Sequence, residues 1–180
     1  YAMDQDMTES HSGTKSISVL VPDYGDPAGS YAGGAFLMEG VGRDLSSFNA
    51  LTFWAKADRE VSLDVAGLGN DNSGTSQFVA EMQNLPLTTE WQYYVIPIPL
   101  PAKLTAERGL FYYAEGPENE VGCQIWFDDI QFDSLTTLTG PAADLGSSTL
   151  SLAIGETDTL GSFPVTFGVE GEPHVVTAQA

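Results

Sequence analysis

The sequence predicts an all-β chain: an antiparallel β-sandwich of jelly-roll type followed by a short C-terminal β segment. Three observations carry that expectation. Apolar residues recur with a period of two along most of the chain, the period of a strand with one buried face. Short runs rich in Val, Ile, Phe, Tyr and Trp are separated at regular spacing by clusters of Gly, Pro, Asn and Asp. Helical periodicity is never sustained; only Ala102 to Arg108 has room for a turn. With 180 residues, about eight such strands are enough for a sandwich with its own core.

Taken in order, Ile17 to Val21 is the first strand, stopped by Pro22 and a Gly/Pro/Asp loop running to Gly34. Ala35 to Glu39, Leu51 to Lys56 and Val61 to Ala66 follow. Gly67 to Thr75 reads as a loop, and its Asp71-Asn72-Ser73-Gly74 stretch lacks the spacing of a calcium-binding EF-hand and is a turn. From Gln77 to Met82 the chain alternates, with Phe78, Ala80 and Met82 on one face. Trp91 to Ile98 is a strand that Pro97 and Pro99 confine to a sheet edge, because proline cannot donate to a ladder. Leu110 to Ala114 and Gln124 to Phe132 complete a domain spanning 1–133. Residues 134–148, rich in Thr, Pro and Gly, read as a linker or edge strand. Residues 149–180 hold three more strands, too few to fold alone, and read as part of an Ig-like domain, a segment packed on the first domain, or strands donated to another chain. Their alternating apolar residues are expected to bury one face.

Charge narrows the choice of partners. The formal net charge is −19, and no Lys or Arg follows Arg108. Nucleic acid and anionic membrane surfaces are repelled by such a chain, whereas a hard cation such as calcium is attracted. No apolar run is long enough to span a bilayer as a helix. The single cysteine, Cys123, offers neither an intramolecular disulfide nor a zinc site. A chain opening on Tyr1, poor in Lys and rich in Asp, Thr, Ser and Gly, is expected to be a processed or excerpted part of a secreted or cell-surface protein.

Four motifs in order then point to a family. Ser12-Gly13-Thr14-Lys15-Ser16-Ile17-Ser18-Val19 resembles the opening strand of β-jelly-roll carbohydrate-binding modules. Asp44-Leu45-Ser46-Ser47-Phe48-Asn49-Ala50-Leu51-Thr52-Phe53-Trp54-Ala55-Lys56 resembles their "DLSxYxxLxFWxK" stretch. Trp91 to Pro97 is similar to their "WxxxxIP" strand, and Trp126-Phe127-Asp128-Asp129-Ile130-Gln131-Phe132 to their closing strand. The resemblance covers about residues 4 to 133. It implies a galactose-binding-like β-sandwich, a carbohydrate ligand, and a structural calcium where the first and last strands meet. The implied metal ligands are Asp4 or Asp6, Glu9, the carbonyl of Lys15, and Asp128. The residues agree in part, since Asp128 has the strand parity of Ile130 and Phe132. That parity directs its carboxylate toward the core, where a charge needs a cation or several hydrogen bonds.

Catalysis has little support. The chain contains no G-x-S-x-G, no H-E-x-x-H and no paired cysteines. Asp64 and Glu81 could form a glycosidase-like pair, but no catalytic motif surrounds them. Binding fits better, because sugars are held by aromatic faces and polar groups in a shallow groove. Alternation places Trp54 and Lys56 outward, opposite core-facing Phe53 and Ala55. Asp64, Gln77, Glu81, Gln92 and Tyr94 are expected beside them on neighbouring strands, with Tyr112 and Gln124 extending the set. Trp54 and Trp91, which sit in the family-like motifs, and Trp126, with the parity of Ile130, could instead be core. The expected function is a noncatalytic, calcium-stabilised extracellular module that binds a neutral polysaccharide. The alternative is a structural or adhesive module, or a filament subunit that self-associates by exchanging its C-terminal strands.

Overall fold

The computed structural model describes residues 3–69 and 78–135, and the strand backbones at 137–141, 149–153, 164–169 and 172–177. The strands are β1 (Met3–Asp6), β2 (Ser16–Val21), β3 (Ala32–Leu37), β4 (Ala50–Ala57), β5 (Val61–Leu68), β6 (Ala80–Leu87), β7 (Gln92–Pro97), β8 (Gly109–Glu115) and β9 (Cys123–Asp133). Pro101–Lys103 is a single 3-10 turn that overlaps the start of the Ala102 to Arg108 stretch with room for one. The strands divide into two antiparallel sheets, β1-β2-β9-β4-β7 and β3-β8-β5-β6. A further sheet contains β10 (Thr137–Pro141), β11 (Thr149–Ala153), β12 (Pro164–Val169) and β13 (Glu172–Thr177). The burial expected of the C-terminal side chains lies outside the described residues.

The sheets meet through an aromatic cluster. Phe53 of β4 packs edge-on against Phe111 of β8 at 5.5 Å, and Phe127 of β9 touches Phe111 at 5.5 Å and Tyr113 at 5.1 Å. Such offset and edge-to-face pairs add to the area they bury. β7, ending at Pro97, is the last strand of its sheet as expected, and Pro86, not singled out in the sequence, lies in β6, the last of the other. β6 begins at Ala80 rather than Gln77, which lies outside the described residues, and continues to Leu87. β1, invisible to alternation because Met3–Asp6 has no buried face, is added by pairing with β2.

Two features correct the expected placements. β4 lies between β7 and β9, whereas β5, β6 and β8 belong to the opposite sheet, so outward residues of the two groups face away from each other. β9 also carries a bulge: Thr52 pairs with Gln131 but Trp54 with Asp128, which leaves Phe53 opposite both Asp129 and Ile130. Asp129 absorbs the extra residue in a left-handed conformation at φ 47°, as bulges often require. Counting back from Ile130 puts Asp128 and Trp126 on the core side. The bulge inverts that parity, so Phe127 is the buried residue while Asp128 and Trp126 turn to the outer face with Trp54 and Lys56.

Candidate functional site

The outer face of the five-stranded sheet collects all three tryptophans of the chain, but the N-terminal segment covers them. The His11 imidazole stacks on Trp54 with ring centroids 3.7 Å apart and planes 11° from parallel. Its Nδ1 lies 2.8 Å from an Asp129 carboxylate oxygen, and these contacts, with the Ser12 hydroxyl bond, hold the Asp129 carboxyl below its ordinary range. Asp128 accepts the backbone N–H groups of His11 and Ser12 at 2.8 and 3.1 Å. Trp126 donates its indole N–H to Asp6 at 2.8 Å, the largest of the contacts that depress the Asp6 carboxyl. Lys56 pairs with Glu9 at 2.7 Å while its ammonium lies over the rings of Trp91 and Trp126. The ring faces that would stack on a sugar are thus occupied by the protein itself.

These contacts also bear on the metal expectation. Asp6 is committed to Trp126, Thr8 and the Glu9 N–H, Glu9 to Lys56, and Asp128 to three backbone donors. Asp4 is exposed in β1 and accepts the neighbouring Gln5 N–H. No cluster of three or more His, Cys, Asp or Glu able to hold a metal exists among the described residues. In this arrangement the expected carboxylates are engaged by N–H donors and by Lys56 rather than gathered on one point. Donated N–H bonds satisfy the carboxylates instead, the other remedy for a charge at a strand junction.

The remaining expected residues separate. Tyr94 is buried beside Phe53, and its hydroxyl donates to the Pro86 carbonyl at 2.5 Å. Tyr93 is the outward residue, tilted against Trp54. Tyr94 therefore faces the core, because it pairs directly with inward Phe53 in the ladder. Gln92 is exposed at the start of edge strand β7, and Gln124 donates to the Ser18 hydroxyl on the neighbouring strand. Gln77 lies outside the described residues.

Asp64, Glu81 and Tyr112 do converge. They line a groove of about 530 Å3 across the outer face of the four-stranded sheet, together with Gln83, Val65, Ala114, Ala35 and Gly33. Its floor is made of small residues. Gly67 on β5 is flanked in register by Tyr112 on β8 and Glu81 on β6, and the Tyr112 hydroxyl donates to the Glu81 carboxylate. Only glycine leaves that crossing free: a Cβ on Gly67 would lie 2.5 Å from the Ala80 carbonyl and 2.8 Å from the Glu81 Cβ. Burial, with the Glu81 carboxylate adding to it, pushes the Tyr112 phenol up, so it remains a donor. Asp64 turns outward by alternation with buried Val61 and Leu63. Its carboxylate accepts the Gly116 N–H at 3.1 Å.

Two members went unseen in the sequence. Tyr31 is 70% exposed, and its ring lies against Gly116 at the Asp64 end of the groove. A lone aromatic in the Gly29-Ser30-Tyr31 loop was the available signal. Gln83, which donates to Glu81 at 2.8 Å, alternates with it on β6. A larger opening of about 940 Å3 lies at the Asp129 bulge, where Phe36, Phe48, Ile130 and Phe132 share the wall with Lys15, Arg43, Asp44 and Asp128. The buried Cys123 thiol is pushed up to about 12 by desolvation and is unreactive near neutral pH.

No family model and no curated protein matches the chain. Solved structures do. A family 30 carbohydrate-binding module is similar at a TM-score of 0.54 and 16% identity, over 81% of this chain and 80% of that one. The family 30 module of a cellulosomal cellulase of Clostridium thermocellum is similar at 0.51 and 19%, over 73% of this chain and 82% of that one. A third family 30 structure gives 0.53 and 17%, over 74% and 83%. The chain has the β-sandwich fold of these carbohydrate-binding modules.

Proposed function

We propose that the protein is a noncatalytic carbohydrate-binding module that holds a neutral glycan in the groove across β3, β8, β5 and β6. The observation that carries this reading is the convergence of Asp64, Glu81, Gln83 and Tyr112 over a floor of small residues. Carboxylates and amides on an open sheet face accept and donate to sugar hydroxyls, and a bare floor lets a ring approach the sheet. Tyr31 supplies an exposed aromatic face at one end. The net charge of −19 and two carboxylates in the groove disfavour uronates and sulfated sugars. The likeness to family 30 modules supports the reading through the fold.

A glycan array with wild type, Asp64→Ala, Glu81→Ala and Trp54→Ala tests it. Binding is expected to fall about tenfold or more for the first two variants, the loss from one charged hydrogen-bonding group. Trp54→Ala, on the opposite face, leaves binding unchanged. Loss of binding in Trp54→Ala with retention in the other two would place the site on the other sheet.

A further inference from the structure

We propose that Glu115 is a proton-operated latch on the wall of the groove: neutral, it keeps β5 and β8 clamped and Asp64 in place, and ionised, it parts them. This inference rests on the groove being the glycan site. The geometry begins where the ladder ends. β5 pairs with β8 only from Val65 to Gly67. Beyond that point carboxylates take over from strand partners, with Ser62 N–H donating to Glu118 at 2.5 Å and Asp64 N–H to Glu115 at 2.6 Å. The Gly116 N–H returns a bond to the Asp64 carboxylate. Glu115 and Asp64 therefore clamp each other's strands, one through its side chain inside the sandwich and the other through its side chain at the groove.

Glu115 is an unusual group to find in that position. It is 0% exposed, following Phe111 and Tyr113 on the inward face of β8, and its second carboxyl oxygen has no hydrogen-bond partner among the described residues. The Nε of Arg59 is buried and equally without a partner, since its guanidinium donates through another nitrogen to the Val121 carbonyl at 2.5 Å. A buried carboxylate with one bare oxygen is costly when charged. Desolvation accordingly pushes the Glu115 carboxyl up to about 8; the charges of Asp64 on β5 and Glu118 after β8 add to this, while the Asp64 N–H and Arg59 oppose it. Cys123 on β9 also faces this group and is influenced by Asp58.

Once Glu115 ionises, its charge is shut inside the sandwich with those of Asp64, at the groove, and Glu118 close by. The bare oxygen is satisfied only by admitting water or by drawing Arg59 inward, and either parts the end of β8 from β5. Gly116 moves with it, and the Asp64 carboxylate leaves the groove wall. Glycan affinity is thereby tied to a proton held outside the groove, with a coupling of the order of tenfold.

The experiment is an amide proton–nitrogen NMR titration of the full chain from about pH 6 to about pH 9.5, paired with glycan affinity over the same range. In wild type the Asp64 and Gly116 amides are expected to titrate together with a midpoint near 8, and affinity falls about tenfold across it. Glu115→Gln is expected to be flat in both. Glu118→Gln lowers the midpoint and Arg59→Gln raises it, which keeps the test open should Glu115→Gln not fold. Flat amides in wild type overturn the latch, and titrating amides with constant affinity overturn its control of the groove. Titrating amides with no glycan bound at any pH leave the latch standing and remove the glycan reading instead.

Discussion

Replacing Asp128 with Ala separates two reasons for a carboxylate at the β9 bulge. Asp128 accepts the N–H groups of His11 and Ser12 at 2.8 and 3.1 Å, anchoring the segment that covers Trp54. Hydrogen bonds to a charged acceptor are worth about 1.5–3 kcal/mol each when buried. At this partly open site about half of that is retained, or about 2 kcal/mol for the pair. Loosening the His11–Trp54 stack, with its 3.7 Å centroid separation, adds about 0.5 kcal/mol. The expected loss is about 2–3 kcal/mol, which for a chain of this size lowers Tm by about 5–10 °C. Calorimetry in calcium and in chelator is the assay, with tryptophan emission reporting the uncovering of Trp54. The structure predicts the same loss in both media, accompanied by a red shift. A bound calcium would instead stabilise wild type by about 4 kcal/mol at a thousandfold excess over Kd. Wild-type melts that differ by that amount, with the difference abolished by Asp128→Ala, would refute the reasoning.

Other substitutions test the core, the groove and the strap. Phe53→Ala removes the ring at the centre of the Phe53–Tyr94–Phe111–Phe127 cluster and is expected to cost about 3–5 kcal/mol in denaturant unfolding. Gly67→Val meets the Ala80 carbonyl and the Glu81 Cβ, so it is expected to abolish glycan retention and to destabilise by about 1–3 kcal/mol; unaltered binding would mean that the floor is not used. Tyr31→Ala, exposed and outside the core, leaves Tm unchanged while weakening glycan binding about threefold to tenfold. In acid, the Asp129 carboxyl is held down chiefly by its bonds to His11 and Ser12. Its contribution is complete above the ordinary aspartate pKa and is lost as pH falls through the lower folded value, so acid titration is expected to release the strap and shift tryptophan emission. Asp129→Asn is expected to blunt that step, and an unchanged step would locate it elsewhere.

Alternation and turn chemistry are properties of neighbouring residues, and they determined most of the strands here. Phe53 and Ala55 inward with Trp54 and Lys56 outward, the edge position imposed by proline on β7, and the single turn near Ala102 were all legible because each depends on a few consecutive residues. Asp64, Glu81 and Tyr112 were legible as outward candidates for the same reason. Which strand lies beside which is a different kind of fact. Backbone ladder groups are identical from strand to strand, so nothing local assigned β4, β7 and β9 to one sheet and β5, β6 and β8 to the other. That partition decided that Trp54 and Asp64 face opposite directions, and the register of β7 on β4 put Tyr94 in the core. The bulge at Asp129 is equally non-local: one extra residue, counted only against the partner strand, turned Asp128 and Trp126 from the inside to the outside. The N-terminal segment shows the same division, since Glu9 and His11 meet Lys56 and Trp54 only after the sheet has brought distant residues together. Tertiary pairing alone therefore chose the groove, because a binding face is made from side chains of several strands and its composition follows from their order.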